Sequence, residues 1–306
     1  MNLKQLEYFV RVAELGSFSK AARVLGIAQP ALSRQVRLLE TDLRETLLLR
    51  NGRGVSLTEG GKRLFEHSVG ILQLVAHARE DIGASRDAPT GRIVVGLPPS
   101  IARQVTLPLI DAFRSQLPRA RLAVVEGLSA HIAEWTATGR VDVGLLYNPE
   151  PQPALETTPL LEEPLMLVQA AARRAGRGPV PLRDLADYPL VLPERAHTFR
   201  RLIETQAAHT GVKLDVAWEV SSVPTIIDLV CAGHGCAVLT ASAVAASPRG
   251  AELRVRPIGE PTVVSVLCMA ISAHKRPTPL GLKVMALLRE ITIPTVAATR
   301  APAQRG

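Results

Sequence analysis

Near the N-terminus the apolar positions Leu3, Leu6, Phe9, Val10 and Ala13 recur at the three- and four-residue spacing of one helix face, and Asn2 ahead of them suits an N-cap. Gly16 ends that first predicted helix. Phe18 and Ser19 fit a hydrophobic staple and an N-cap for a short second helix over residues 20–25, stopped by Gly26. A third helix over about residues 29–40 carries Pro30 in its first turn, where the missing N–H does no harm. The segment LLLRNGRGVSL then sets Asn51-Gly52 and Arg53-Gly54 between two short apolar runs, which predicts a β-hairpin. Thr58 caps a long helix reaching about Arg86, with Leu64, Phe65, Val69, Leu72, Val75, Ala76 and Ile82 on one stripe. At the α-helical rise it spans roughly 40 Å. So long a helix with a single apolar stripe needs something to cover it, and self-association is the economical cover.

At DAPTG, residues 87–91, the pattern changes to short β-branched runs separated by helices. RIVVGL, RLAVVE and VDVGLLY read as strands, with helices predicted over residues 101–116 and 129–138 between them, an alternation that implies parallel βαβ units. PLMLVQ, YPLVL, LDVAWEV and CAVLT repeat the theme. Such units place ligand sites at the C-terminal ends of their strands. From Ile293 the sequence, rich in Ala, Pro and Thr, reads as a frayed tail.

A chain of 306 residues with 47% hydrophobic and 21% charged positions has the make-up of a folded protein of two or more domains. Its net charge of +8 and pI near 9.9 favour a polyanionic partner, and the excess is concentrated: residues 1–63 hold 11 Lys+Arg against 6 Asp+Glu, a net of +5. The opening MNLKQLEYFV carries no secretory pattern and no run of 18 apolar residues occurs, so a cytoplasmic protein without a membrane partner is expected. Three cysteines, Cys231, Cys236 and Cys268, are too few and too odd in number for a disulfide framework.

On the third helix, Leu32, Val36 and Leu39 form a packing face, whereas Pro30, Ser33, Arg34 and Arg37 are expected on the opposite one. Arginine can read guanine or clamp a phosphate, Gln29 can pair with adenine, and Ser33 can do either job. The bland alternative is a solvated amphipathic face, and the helix and turn that precede it favour DNA. FVRVAELGSFSKAARVLGIAQPALSRQVRLLETDL followed by LLLRNGRGVSLTEGGKRL resembles the LysR-type transcriptional regulator family across this whole region. The resemblance implies an N-terminal all-α winged helix-turn-helix over residues 1–58, reading double-stranded promoter DNA. A linker helix over 59–88 would dimerise, and a C-terminal α/β two-lobed effector domain over 89–293 would resemble periplasmic binding proteins. It places a recognition helix near residues 29–39, Arg50 and Arg53 in the wing near phosphates, and Ser19 and Lys20 of the second helix among the DNA-binding candidates. A homodimer, assembling further into a homotetramer, and RNA polymerase are the protein partners it suggests; no cofactor is implied. Two departures are visible: the wing NGRG is short and basic, and Glu45-Thr46 stands where the family often has glycine. GIAQPALSRQV and GLPPS lean toward the nitrogen-assimilation-control subgroup, for which regulation without an effector is the alternative.

The same resemblance suggests one lobe from 91–163 with 268–292, a second from 164–267, and a tail over 294–306. Pro98, Pro99 and Ser100 would lie between the first strand and its helix, where free N–H groups and a hydroxyl can bind an anion. Ser129, Tyr147, the run Thr198, Phe199 and Arg200, and the helix start ending at Val223 would face the interlobe cleft, which suits a small carboxylate. The alternative is that these hydroxyls are ordinary N-caps. CAGHGC, with Cys231, His234 and Cys236, lacks the further ligands of a zinc site, and no nucleophile or phosphate-cradle motif appears, so neither a metal site nor an enzyme is expected. A solute-binding protein is the rival reading from another class, and the first 63 residues argue against it.

Overall fold

The computed structural model describes residues 1–51, 54–83, 89–172 and 178–299, with the backbone alone for residues 51, 77 and 79–83. The chain divides into two compact units, one of Met1–Ser85 with Ala137–Val141 and one of Arg86–Thr136 with Asp142–Gly306.

The first unit opens with α1 (Leu3–Leu15), capped by Asn2 in a reciprocal box with Gln5 and ended by Gly16 in the left-handed region. Helix α2 (Phe18–Leu25) begins two residues earlier than the spacing predicts. Its cap is Ser17, whose hydroxyl accepts from the Lys20 N–H, so Ser19 lies inside the helix and Phe18 is its buried first residue. Helix α3 (Gln29–Leu43) runs three residues past the expected end and stops at Arg44, which itself adopts a left-handed φ of 53°. Strands β1 (Leu48–Asn51) and β2 (Gly54–Leu57) pair antiparallel with Arg50 opposite Val55. The wing is locked to the α1–α2 corner: Val55 N–H donates to the Gly16 carbonyl at 2.9 Å. Gly54, at φ 140°, admits no side chain, because a Cβ there would lie 2.7 Å from the Gly16 oxygen.

Helix α4 (Glu59–Gly83) follows, with Thr58 accepting from Gly61 N–H at 2.9 Å as its cap. The uncovered stripe expected on this helix is corrected. Leu64, Phe65, Val69 and Leu72 pack against the unit's own core of Leu6, Phe9, Val12, Leu32, Val36, Leu39 and Leu47. Among the described side chains of α4, the large apolar ones left exposed are Ile71 and Leu74, at 37% and 53%; Ala76 of the stripe is exposed too, and the Ile82 side chain lies outside the described residues. A long helix can lay its first turns on the domain that precedes it, which a stripe read in isolation does not reveal.

The second unit starts with β3 (Gly91–Leu97), α5 (Pro99–Gln116), β4 (Ala120–Glu126), α6 (Ser129–Ala137) and β5 (Val143–Tyr147). Strand β3 pairs parallel with both β4 and β5, as the alternation predicts. Beyond Tyr147 the rule changes. PLMLVQ is the second half of a single strand, β6 (Leu155–Ala170). Short strands β7 (Val180–Pro181) and β8 (Leu190–Leu192), helix α7 (Thr198–His209), β9 (Val216–Glu219), α8 (Val223–Cys231), β10 (Ala237–Thr240) and α9 (Ala241–Ala245) follow. The unit closes with β11 (Leu253–Gly259), β12 (Val264–Ser272) and α10 (Pro279–Ala298).

Strand β6 belongs to both lobes: its first half runs antiparallel to β12, and its second half antiparallel to β10 and β11. The parallel theme expected for PLMLVQ is thus corrected, while β8 and β9 do pair parallel. The return to the first lobe begins with β12 at Val264, ahead of the expected 268. The largest buried cluster runs from Val95, Leu97, Ile101 and Leu109 through Leu145 and Leu165 to Leu190 and Phe199, so the lobes share a core where β6 crosses between them. The predicted tail is also corrected. Helix α10 continues through Ala298 because Thr292 and Val296, one turn apart, are both fully buried; residues 300–306 lie outside the described residues.

Candidate nucleic-acid interface and ligand cleft

In α3 the packing face is complete, with Leu32, Val36 and Leu39 at 1% exposure or less, and Gln29, Pro30, Arg34 and Arg37 stand in solvent on the other side. Ser19 and Lys20 on α2 are exposed as well. Ser33 is the correction: it is 4% exposed, since its small side chain sits at the border of the packing face, and it accepts a hydrogen bond from Arg50 Nη2 at 3.1 Å. The Arg50 guanidinium also lies 4.4 Å from the centre of the Phe18 ring. One wing arginine therefore ties β1 to both helices of the helix-turn-helix, through a hydrogen bond and a cation–π contact that at such a site is worth about 0.5–1 kcal/mol. Arg53, the other wing cation, lies outside the described residues. Glu40 was not legible as functional: its Oε1 accepts from the Leu47 and Leu48 N–H groups at 2.9 and 3.2 Å and anchors the entry of β1 to α3. No periodicity signals a bond from a side chain to backbone seven and eight residues on.

The cleft residues come from both lobes. Tyr147 ends β5, 3% exposed, and its N–H donates to the Ser129 hydroxyl at 3.0 Å. Its ring meets that of Phe199, at the start of α7, edge-on with centroids 5.0 Å apart, which joins the lobes. Its phenol donates to Glu163 Oε2 at 2.7 Å. Burial pushes the phenol well above the usual tyrosine range, and the adjacent Glu163 carboxyl adds to that, so the hydroxyl stays a donor. Gln104 Nε2, on α5, donates to the carbonyls of Ser100 and Ser242, both at 3.1 Å, a second tie between lobes.

The reading of these hydroxyls as ordinary N-caps does not hold for three of them. The cap positions are Pro98 for α5 and His197 for α7, one residue before Pro99 and Thr198, and Ser129 is engaged by Tyr147. His197 Nδ1 accepts from Phe199 N–H at 3.2 Å, and burial holds its imidazole down at about 4. Arg200 is buried and paired within the chain. It is 3% exposed, with Nε on Glu204 at 2.7 Å, Nη1 on the Pro193 carbonyl at 3.3 Å and Glu219 at 3.8 Å. Buried arginine must be neutralised, and these acceptors do it. Pro99 is exposed and Ser100 half-buried at the start of α5, while Val223 packs on the second-lobe core with Ile226 and Val230. Sequence reasoning missed Glu163, Thr240, Ser242 and Gln104, whose relevance depends on contacts across the fold.

Cys236 is fully buried, Cys231 half-buried, and none of the three cysteines forms a disulfide. Burial raises the Cys231 and Cys268 thiols, the opposite of the shift that makes a reactive thiolate. Among the described residues no group of three His, Cys, Asp or Glu could hold a metal ion, and no helix is long and apolar enough to cross a membrane.

A helix-turn-helix whose third helix offers cations to solvent, in one chain with a two-lobed α/β unit, defines a DNA-binding regulator with a small-molecule module. Residues 3–62 match the family model of the bacterial regulatory helix-turn-helix protein, lysR family, and residues 86–292 match that of the LysR substrate binding domain. The chain belongs to the LysR family of DNA-binding transcriptional regulators, and so is a regulator rather than an enzyme. It is 31% identical to the nitrogen assimilation regulatory protein nac of Klebsiella aerogenes over 94% of both chains. Among solved structures it is similar to a full-length OxyR variant from Pseudomonas aeruginosa, at 25% identity over 95% of this chain and 94% of that one, with a TM-score of 0.70. Full-length BenM is similar at 28% identity over 95% and 96%, with a TM-score of 0.57.

Proposed function

We propose that α3 enters the major groove of promoter DNA with Gln29, Arg34 and Arg37 toward base edges, Pro30, Ser19 and Lys20 beside the backbone, and the wing carrying Arg53 along it. The observation that carries this reading is the exposed, cationic face of α3 opposite a fully packed one. Ser33 and Arg50 act as a pair that sets the wing against the recognition helix. Selecting genomic fragments bound by the purified protein tests it: a recurrent motif with two half-sites is expected, and binding without sequence preference would overturn it. Dimerisation is assigned to the exposed Ile71 and Leu74 of α4. Leu74→Asp is expected to give a monomer by sedimentation and to lose paired half-site binding.

The cleft is proposed to bind a small organic anion through Ser100 at the start of α5, Ser129 and Thr198, with Tyr147 and Phe199 as its apolar walls. Supporting this, these hydroxyls do not cap their own helices, and at the start of α5, where Pro99 supplies no N–H, the Ser100 N–H and hydroxyl stand together without a side-chain cap. A ligand that touches both lobes shifts their equilibrium only by its differential affinity for the two arrangements. Ser100→Phe is expected to abolish ligand-dependent change in transcription. No thermal shift of the wild type with any of a broad panel of carboxylates, together with normal regulation by Ser100→Phe, would favour regulation without an effector.

A further inference from the structure

Glu163 sits at the point where β6 leaves one lobe for the other: its register partner is Ser265 of β12, and two residues on, Leu165 pairs with Thr240 of β10. It is 1% exposed. One oxygen, Oε2, accepts from the Tyr147 phenol, and the other, Oε1, has no hydrogen-bond partner. The neighbouring hydroxyls are committed elsewhere. Thr240 and Ser242 bond to each other at 3.0 Å, and Ser265 accepts from Asn148 at 3.0 Å. A buried carboxyl oxygen without a donor is an unfavourable arrangement that a bound group carrying N–H or N⁺–H would relieve.

A ligand that brings only acceptor oxygens would leave Glu163 Oε1 without a partner. The uncapped start of α5 and the Ser129 hydroxyl suit a carboxylate, and Tyr147 spans the distance from Ser129, at its backbone, to Glu163, at its phenol. We infer that the ligand is an amino-carboxylate: its carboxylate meets the helix starts and its ammonium group donates to Glu163 Oε1. The inference rests on the cleft being the ligand site, and it adds the ligand's second charge. In this arrangement Glu163 discriminates between an amino acid and the same acid without nitrogen, because only the former pairs the orphaned oxygen.

The test is thermal shift and calorimetry on the full-length protein with three matched pairs: succinate and aspartate, butyrate and 4-aminobutyrate, valerate and 5-aminovalerate. At least one amino compound is expected to raise the melting temperature while its partner without nitrogen does not. Glu163→Gln, which keeps an acceptor for Tyr147 but replaces the carboxylate, is expected to weaken that amino compound by about tenfold to a hundredfold, the range of a charge-assisted hydrogen bond. Cooperative melting of ligand-free Glu163→Gln guards against a variant that fails to fold; where it does fail, Glu163→Asp, which keeps a shorter carboxylate, is expected to retain the amino preference. Equal binding of both members of a pair, with Glu163→Gln unaffected, would overturn the inference and leave the anion reading of the cleft standing. No shift with any of the six compounds would overturn it too, and induction in Ser100→Phe then decides the cleft separately.

Discussion

The face of α3 and the polar cluster where the two lobes cross are built in opposite ways, one exposed and the other buried. On α3 the working side chains stand alone in solvent over a fully apolar backing, so each is free to meet something outside the chain. In the cleft nearly every polar group is already bonded to another part of the chain: Ser129 to Tyr147, Tyr147 to Glu163, Gln104 to Ser100 and Ser242, Arg200 to Glu204. Removing a side chain should therefore cost binding on the first surface and stability on the second. The contrast separates an exposed face, proposed to read DNA, from a buried cluster whose own bonds join the two lobes.

The largest expected effect comes from acid. His197, folded at about 4 and ordinarily near 6.5, stays neutral in the native cleft while the unfolded chain takes up a proton. Stability should hold above pH 6.5, fall as pH drops toward 4 and level off below, by up to about 3 kcal/mol from this group. Melting curves across that range check it. His197→Asn, which keeps a cap acceptor for Phe199 N–H, should flatten the slope.

Next comes Tyr147→Phe, which strips Glu163 of its donor and should cost about 1–3 kcal/mol by chemical denaturation. Arg37→Ala, on the exposed face, should stay within about 0.5 kcal/mol of wild type in the same experiment while weakening DNA binding. A destabilised Arg37→Ala or a neutral Tyr147→Phe would break the contrast.

Arg50 blurs the line between the two surfaces, since an exposed cation is tied to a buried serine. A double-mutant cycle with Arg50→Ala and Ser33→Ala should return a coupling of about 1 kcal/mol in stability. A coupling near zero would return Arg50 to the phosphate-contacting role that the family resemblance implies.

The same contrast explains what was legible in the sequence. The three N-terminal helices, the wing and the cationic residues of α3 follow from local spacing and caps, because helix faces and turns are set by residues within about one turn of each other. Ser17 rather than Ser19 as the α2 cap, and Ser33 as buried, are errors of one or two positions at an edge. The cleft was legible only at its strand ends and helix starts. Arg200 read as a ligand contact because charge was visible and its neutralising partners, Glu204 and Glu219, were not recognisable as such. Glu163 looked like one more carboxylate in LLEEPL, and only the pairing of β6 with β12 and β10 brings it to the crossing. Helix α10 outran its predicted end because composition does not show that Val296 finds a core to enter.

What Arg34 does on α3 decides most directly whether this face reads sequence. Binding of full-length wild type and Arg34→Ala to a randomised-site DNA library, over a salt series, measures it. The expected result is a loss of about 1–3 kcal/mol on the preferred site with preference relaxed at one position of each half-site, and unchanged affinity for non-specific DNA apart from the effect of one lost charge. A uniform loss on all sequences, with the preferred motif intact, would contradict the claim that this face reads bases.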